Sequence, residues 1–87
     1  RMNRAILERR ANPAMNIHSL ARGGAYGATV TSVNERFYRL IVDVGNIQAR
    51  VALTSSDELL TRGDRVTLLV YGYDDKRNYV WGACHKV

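Results

Sequence analysis

The sequence predicts an all-β domain of five short strands that close into a small barrel over residues 24–87, preceded by a basic, partly helical arm over residues 1–23. Three observations carry this reading. Residues Phe37 to Leu53 alternate apolar and polar side chains on either side of Gly45-Asn46, a pair that accepts the positive φ angles of a tight hairpin. Two further runs rich in β-branched and aromatic residues, Val66 to Tyr73 and Tyr79 to Ala83, are bounded by polar turns. The chain has 87 residues, 46% hydrophobic and 24% charged, which suits one globular domain and excludes wholesale disorder.

The arm comes first. Asn3 to Ala11 has the apolar stripe of a short helix, formed by Met2, Ala5 and Ile6, but is too short to stand alone in water. Asn12-Pro13 punctuates the chain. Asn12 is suited to cap a second helix with Pro13 at its first position. Ile17, Leu20 and Ala21 would be its apolar face, and Gly23 or Gly24 its end. An extended arm is the competing reading.

Ala25 to Val33 is expected as the first strand, with Gly24 and Gly27 allowing a bend or a close backbone approach. Val33-Asn34-Glu35-Arg36 is a polar turn. The second strand, Phe37 to Val44, turns Leu40, Val42 and Val44 inward, with Arg39, Ile41 and Asp43 opposite. The third, Ile47 to Leu53, turns Ile47, Ala49, Val51 and Leu53 inward, with Gln48, Arg50 and Ala52 outward. Thr54-Ser55-Ser56 is expected to end that strand, and Ser56 to cap one helical turn, Asp57-Glu58-Leu59-Leu60. Leu59 or Leu60 would plug the barrel. Turns at Arg62-Gly63-Asp64-Arg65 and Asp74-Asp75-Lys76-Arg77-Asn78 frame the fourth and fifth strands.

Five strands with a plug between the third and fourth is the outline of the OB-fold. Residues Ala28 to Arg39, with Gly63-Asp64-Arg65-Val66 and Tyr73-Asp74-Asp75-Lys76-Arg77, resemble the RNA-binding barrels of the bacterial translation initiation factor one family. The chain departs from that family after strand three, where Thr54-Ser55-Ser56-Asp57-Glu58 replaces a basic run. A second resemblance is to the soluble C-terminal barrel of NfeD-type membrane proteins, through Leu20-x-x-Gly23-Gly24-x-x-Gly27 and Leu60 to Val66. It lacks that family's Pro-Gly-type turn between the first two strands. The first resemblance implies RNA or single-stranded nucleic acid as partner. The second implies a protein partner in a membrane-associated assembly.

The charge of +5 is unevenly placed. Residues 1–24 carry five arginines against one glutamate, a net +4, and residues 25–87 carry eight basic and seven acidic side chains, a net +1. A basic arm can serve nucleic acid, an anionic membrane surface or solubility alone. Within the barrel, the outer face of strands two and three carries Phe37, Arg39, Ile41, Gln48 and Arg50. An aromatic beside two arginines can stack bases and hold phosphates. Arg36, Tyr73, Lys76 and Arg77 on flanking loops would extend the track. An ordinary solvated strand pair is the plainer alternative. Tyr71, Tyr73, Tyr79 and Trp81 are expected in the core or at a barrel end, and an exposed patch of them would mark a partner interface.

No catalytic constellation is expected. Ser19 beside His18 has no orienting acid nearby, and Asp74-Asp75 and Asp57-Glu58 read as turn and cap residues. Cys84-His85 and His18 lack the spacing of a structural zinc site, and Gly24-Ala25-Tyr26-Gly27 lacks a phosphate-loop lysine, so neither metal nor cofactor is expected. Arg62-Gly63-Asp64 spells an adhesion tripeptide, a coincidence for three residues on a turn. The single cysteine permits a reducing compartment and excludes an internal disulfide. No signal peptide or membrane-length apolar run is visible, so a cytoplasmic location is expected, with attachment to a membrane protein as the alternative.

Overall fold

The computed structural model describes residues 15–56 and 59–87. Five strands, β1 (Ala25–Val33), β2 (Phe37–Val42), β3 (Gln48–Ser56), β4 (Arg65–Asp74) and β5 (Tyr79–Lys86), form a closed barrel in the order β1-β2-β3-β5-β4. All pairings are antiparallel except β3 with β5. The predicted OB-like barrel is therefore present.

Period-two alternation fills the interior. Ala28 and Val30 come from β1, Tyr38, Leu40 and Val42 from β2, Ala49 and Val51 from β3, Val66, Leu68 and Val70 from β4, and Val80 and Cys84 from β5. Ile47 adds to them from the turn ahead of β3. Leu60 is the plug and Leu59 is exposed. The Leu60 N–H donates to the buried Tyr38 hydroxyl at 3.2 Å, so the phenol enters the core with a partner.

The barrel bends at two bulges. β1 shifts register between Val30 and Ser32, and β4 between Val70 and Gly72. At the second, β5 passes so close that a Cβ on Gly82 would overlap the Leu69 carbonyl oxygen. The closing seam between β1 and β4 is reinforced from the turn before β4, where the Gly63 N–H donates to Val30 O (2.8 Å) and the Val30 N–H donates to Asp64 O (2.9 Å).

Several expectations change in detail. The β2–β3 connection spans five residues, 43–47, because β2 stops at Val42 and its N–H meets Ile47 O at 2.8 Å. Gly45 and Asn46 do take positive φ, 71° and 52°. Val44 lies in this turn and is exposed, not inward. β3 runs on through Thr54-Ser55-Ser56, where Ser56 pairs with Cys84, so Ser56 is a strand residue. Leu59 and Leu60 are not helical, and 57–58 lie outside the described residues. The short helix at Asn3–Ala11 and the Asn12 cap also lie outside them. In place of the second helix stands one 3₁₀ turn, Ile17–Ser19, capped by Asn16, whose carboxamide oxygen accepts from His18 N–H at 2.8 Å. Ile17 and Leu20 drop into the barrel core.

An ion pair ties the β2–β3 turn to β4. Arg65 reaches Asp43 through Nη1 (2.8 Å) and Nη2 (2.5 Å) and also donates to Thr29 Oγ1 at 2.7 Å. Gly27 leaves the room, since a Cβ there would stand 2.9 Å from Asp43 Oδ2. The Arg65 hydrogen bonds hold the Asp43 carboxyl below its ordinary value. A depressed carboxylate lends stability that is present above the unfolded pKa, about 3.9, and lost as pH falls through the lower folded value.

Two outcomes are expected. Replacing Gly82 with Ala forces β4 and β5 apart and costs about 3 kcal/mol, to be read from urea unfolding. In a carboxyl-detected NMR titration, Asp43 titrates below about 3.9, and Arg65→Ala moves its midpoint up toward that value.

Candidate nucleic-acid interface

The outward phase of β2 and β3 follows from the inward one. With Tyr38, Leu40, Ala49 and Val51 inside, Phe37, Arg39, Ile41, Gln48 and Arg50 face out. Asn34 sets the start of β2: its carboxamide oxygen accepts from the N–H groups of Arg36 (2.8 Å) and Phe37 (2.9 Å). This side-chain turn fixes the chain immediately before Phe37. Arg39 and Arg50 are direct cross-strand partners. Like charges placed directly opposite repel one another and cost stability.

The rings beside them take up part of that charge. The Arg50 guanidinium carbon lies 4.6 Å from the Phe37 ring centroid and 4.3 Å from that of Tyr79. The Arg39 guanidinium carbon is 5.6 Å from Phe37. All three distances are within cation–π range. Arg50 is thereby held half-buried between rings from β2 and β5, and Arg39 stays exposed. An open groove of about 220 Å³ adjoins them, lined in part by Thr31, Ser32, Arg39, Ile41, Gln48 and Arg50.

Four of the five described carboxylates of the barrel are engaged elsewhere. Asp43 pairs with Arg65, Asp74 with Arg77 (3.1 Å), Asp75 with His18 (2.5 Å) and Asp64 with Lys86 (3.8 Å). The Arg77 backbone N–H, then its guanidinium, keep the Asp74 carboxyl below its ordinary value. Among the described residues, Arg39 and Arg50 ion-pair with no carboxylate. These two arginines therefore bring positive charge to this face without an ion-pair partner among the described residues.

The structure brings Phe37, Arg39 and Arg50 together, and Arg36 stands exposed at the β1–β2 turn next to Phe37. Tyr73 is committed elsewhere: its hydroxyl donates to Leu20 O at 2.6 Å and its ring meets His18 at 4.3 Å. Arg77 is drawn to Asp74, and Lys76 is exposed on the β4–β5 turn. Tyr79 is the residue that sequence reasoning missed. Tyr79 and Trp81 flank the inward Val80, so they point outward, and Tyr71 and Trp81 are exposed, not packed in the core. The signal was there in Gly72 and Gly82, the small residues that alternate with these rings and take the crowded positions.

Among the described residues, no group of three or more His, Cys, Asp and Glu side chains is placed to hold a metal ion. Likewise, no helix there is long and apolar enough to cross a membrane. The described part of the N-terminal segment hydrogen-bonds to Gly45, Val70, Tyr71 and Tyr73.

No protein-family model matches the sequence, and no curated protein matches it, so the likeness to NfeD-type proteins gains no support. Among solved structures, the barrel is similar to part of the intact alpha subunit of aIF2 from Pyrococcus abyssi, with a TM-score of 0.65 and 17% identity. The match covers 78% of this chain and 30% of that one, and at this identity what the two share is the barrel fold.

Proposed function

We propose that this chain is a non-enzymatic module that binds single-stranded nucleic acid, RNA foremost, on the outer face of β2 and β3. One observation carries the reading: Arg50 is clamped between Phe37 and Tyr79 with Arg39 beside it, and neither arginine has a carboxylate among the described residues. Rings and guanidinium planes offer stacking surfaces to any base, and the guanidinium charges hold the phosphates. Arg36 and Lys76 add charge at the two flanking turns. The β2–β3 face is also where OB-like barrels bind oligonucleotides. A cytoplasmic setting fits a chain whose lone cysteine forms no internal disulfide.

The test is an anisotropy titration with a labelled 12-nucleotide single-stranded RNA at two salt concentrations. The unmodified protein binds at low salt and weakens as salt rises. The double variant Arg39→Ala, Arg50→Ala lowers the slope of log affinity against log salt by about 1.4, about 0.7 for each lost phosphate contact. Phe37→Ala costs about 1–3 kcal/mol. Absence of binding by the unmodified protein at low salt removes the proposal.

A further inference from the structure

Two exposed rings lie beyond the platform just described. Trp81 is 45% exposed and Tyr71 46%, and they meet edge to face with centroids 6.2 Å apart and planes at 83°. Large aromatics left so open on a small domain mark a place where something docks.

Their position says what. In the parallel β3–β5 ladder Trp81 is the direct partner of Arg50, and both side chains face outward. Across the next ladder Trp81 pairs with Gly72, and a Cβ there would come within 2.6 Å of the indole Cζ2. The glycine is the seat that lets the indole settle against β4. Tyr71 occupies the neighbouring bulge, and Arg22 Nε donates to its carbonyl oxygen at 3.3 Å, bringing a cation to the far end. A row of outward side chains thus runs across the sheet from Phe37 on β2, through Arg50 on β3 and Tyr79 and Trp81 on β5, to Tyr71 on β4. The two acids of the nearby β4–β5 turn, Asp74 and Asp75, are already paired with Arg77 and His18.

We infer that Trp81 and Tyr71 form a second stacking station for the same single strand, reached only by oligonucleotides long enough to cross β3 and β5. The inference rests on the proposed nucleic-acid function and extends it by a direction and a length. Along this row the barrel wall takes three inter-strand steps from β2 to β4, about 14 Å measured along the wall. The strand lies across the β-strands, with its phosphates following Arg39, Arg50 and Arg22. A ligand confined to β2 and β3 leaves Trp81 untouched.

Trp81 is the only tryptophan in the chain, so its emission reports this station alone. The experiment titrates the full chain at low salt with oligouridylates of two and of eight nucleotides. The octamer is expected to quench Trp81. The dimer is expected to shift the backbone NMR signals of Phe37 and Arg39 without quenching. Trp81→Ala weakens the octamer about tenfold and leaves the dimer unchanged, and Trp81→Phe recovers most of the loss. Tyr71→Ala weakens the octamer in the same sense. If the octamer binds with Trp81 unquenched and Trp81→Ala binds as tightly as the unmodified protein, the second station is overturned and the β2–β3 reading stands. If neither oligonucleotide binds, both fall. A blue shift of Trp81 emission with protein concentration alone, matched by a rising mass in light scattering, assigns the strip to a second copy of the chain and overturns the inference.

Discussion

Everything on the outside of this barrel is dictated by how its inside is filled. A closed sheet has one interior, and each strand sends every second side chain into it. Once Tyr38, Leu40 and Val42 are inside, Phe37, Arg39 and Ile41 have only the exterior left. The same holds for Ala49 and Val51 against Arg50, and for Val80 and Cys84 against Tyr79 and Trp81. A register slip of one residue would bury two arginines and expose the core, so the face is as strongly specified as the core itself. The candidate interface needs no folding signal of its own.

Charge is arranged by the same logic of commitment. Four of the described acids stand within ion-pair distance of a named cation: Asp43 with Arg65, Asp64 with Lys86, Asp74 with Arg77 and Asp75 with His18. These are exposed or half-exposed pairs, and each contributes little to stability. Their effect on the surface potential is larger. They withdraw negative charge to the turns and to the β1–β4 seam, and leave Arg39 and Arg50 with aromatic rings as neighbours. A net charge summed over the barrel misses this, because it averages over faces that a ligand meets one at a time.

How much of this was legible in the sequence differs from residue to residue. The inward sets of β2 and β3 could be read directly, since Leu40, Val42, Ala49 and Val51 alternate with polar neighbours. Val44 fits the same alternation but falls in a turn. The positive φ angles of Gly45 and Asn46 were foreseeable, while the turn's length is set by the Val42–Ile47 bond, which no local pattern announces. The rings of β4 and β5 were harder. Size argued for burying them, yet Gly82 faces the Leu69 carbonyl where the wall admits no side chain, so a glycine takes that inward position. Tyr73 resembled a loop aromatic in the sequence, and only the folded chain reveals Leu20 O as the partner of its hydroxyl. Partners 53 residues apart leave no mark on spacing.

The parallel pairing of β3 with β5 also bears on assembly. The last of the five strands inserts between two that precede it, so β3 and β4 are not neighbours in the barrel. As the polypeptide leaves the ribosome, β1 to β4 can form hairpin and seam contacts, but a gap stays open along their apolar side until Tyr79–Lys86 arrives to fill it. Chain closure is therefore a late, long-range event, of the kind that slows folding and exposes sticky intermediates. In the nascent chain, the wait for β5 is the period when chaperones or self-association would have their strongest hold.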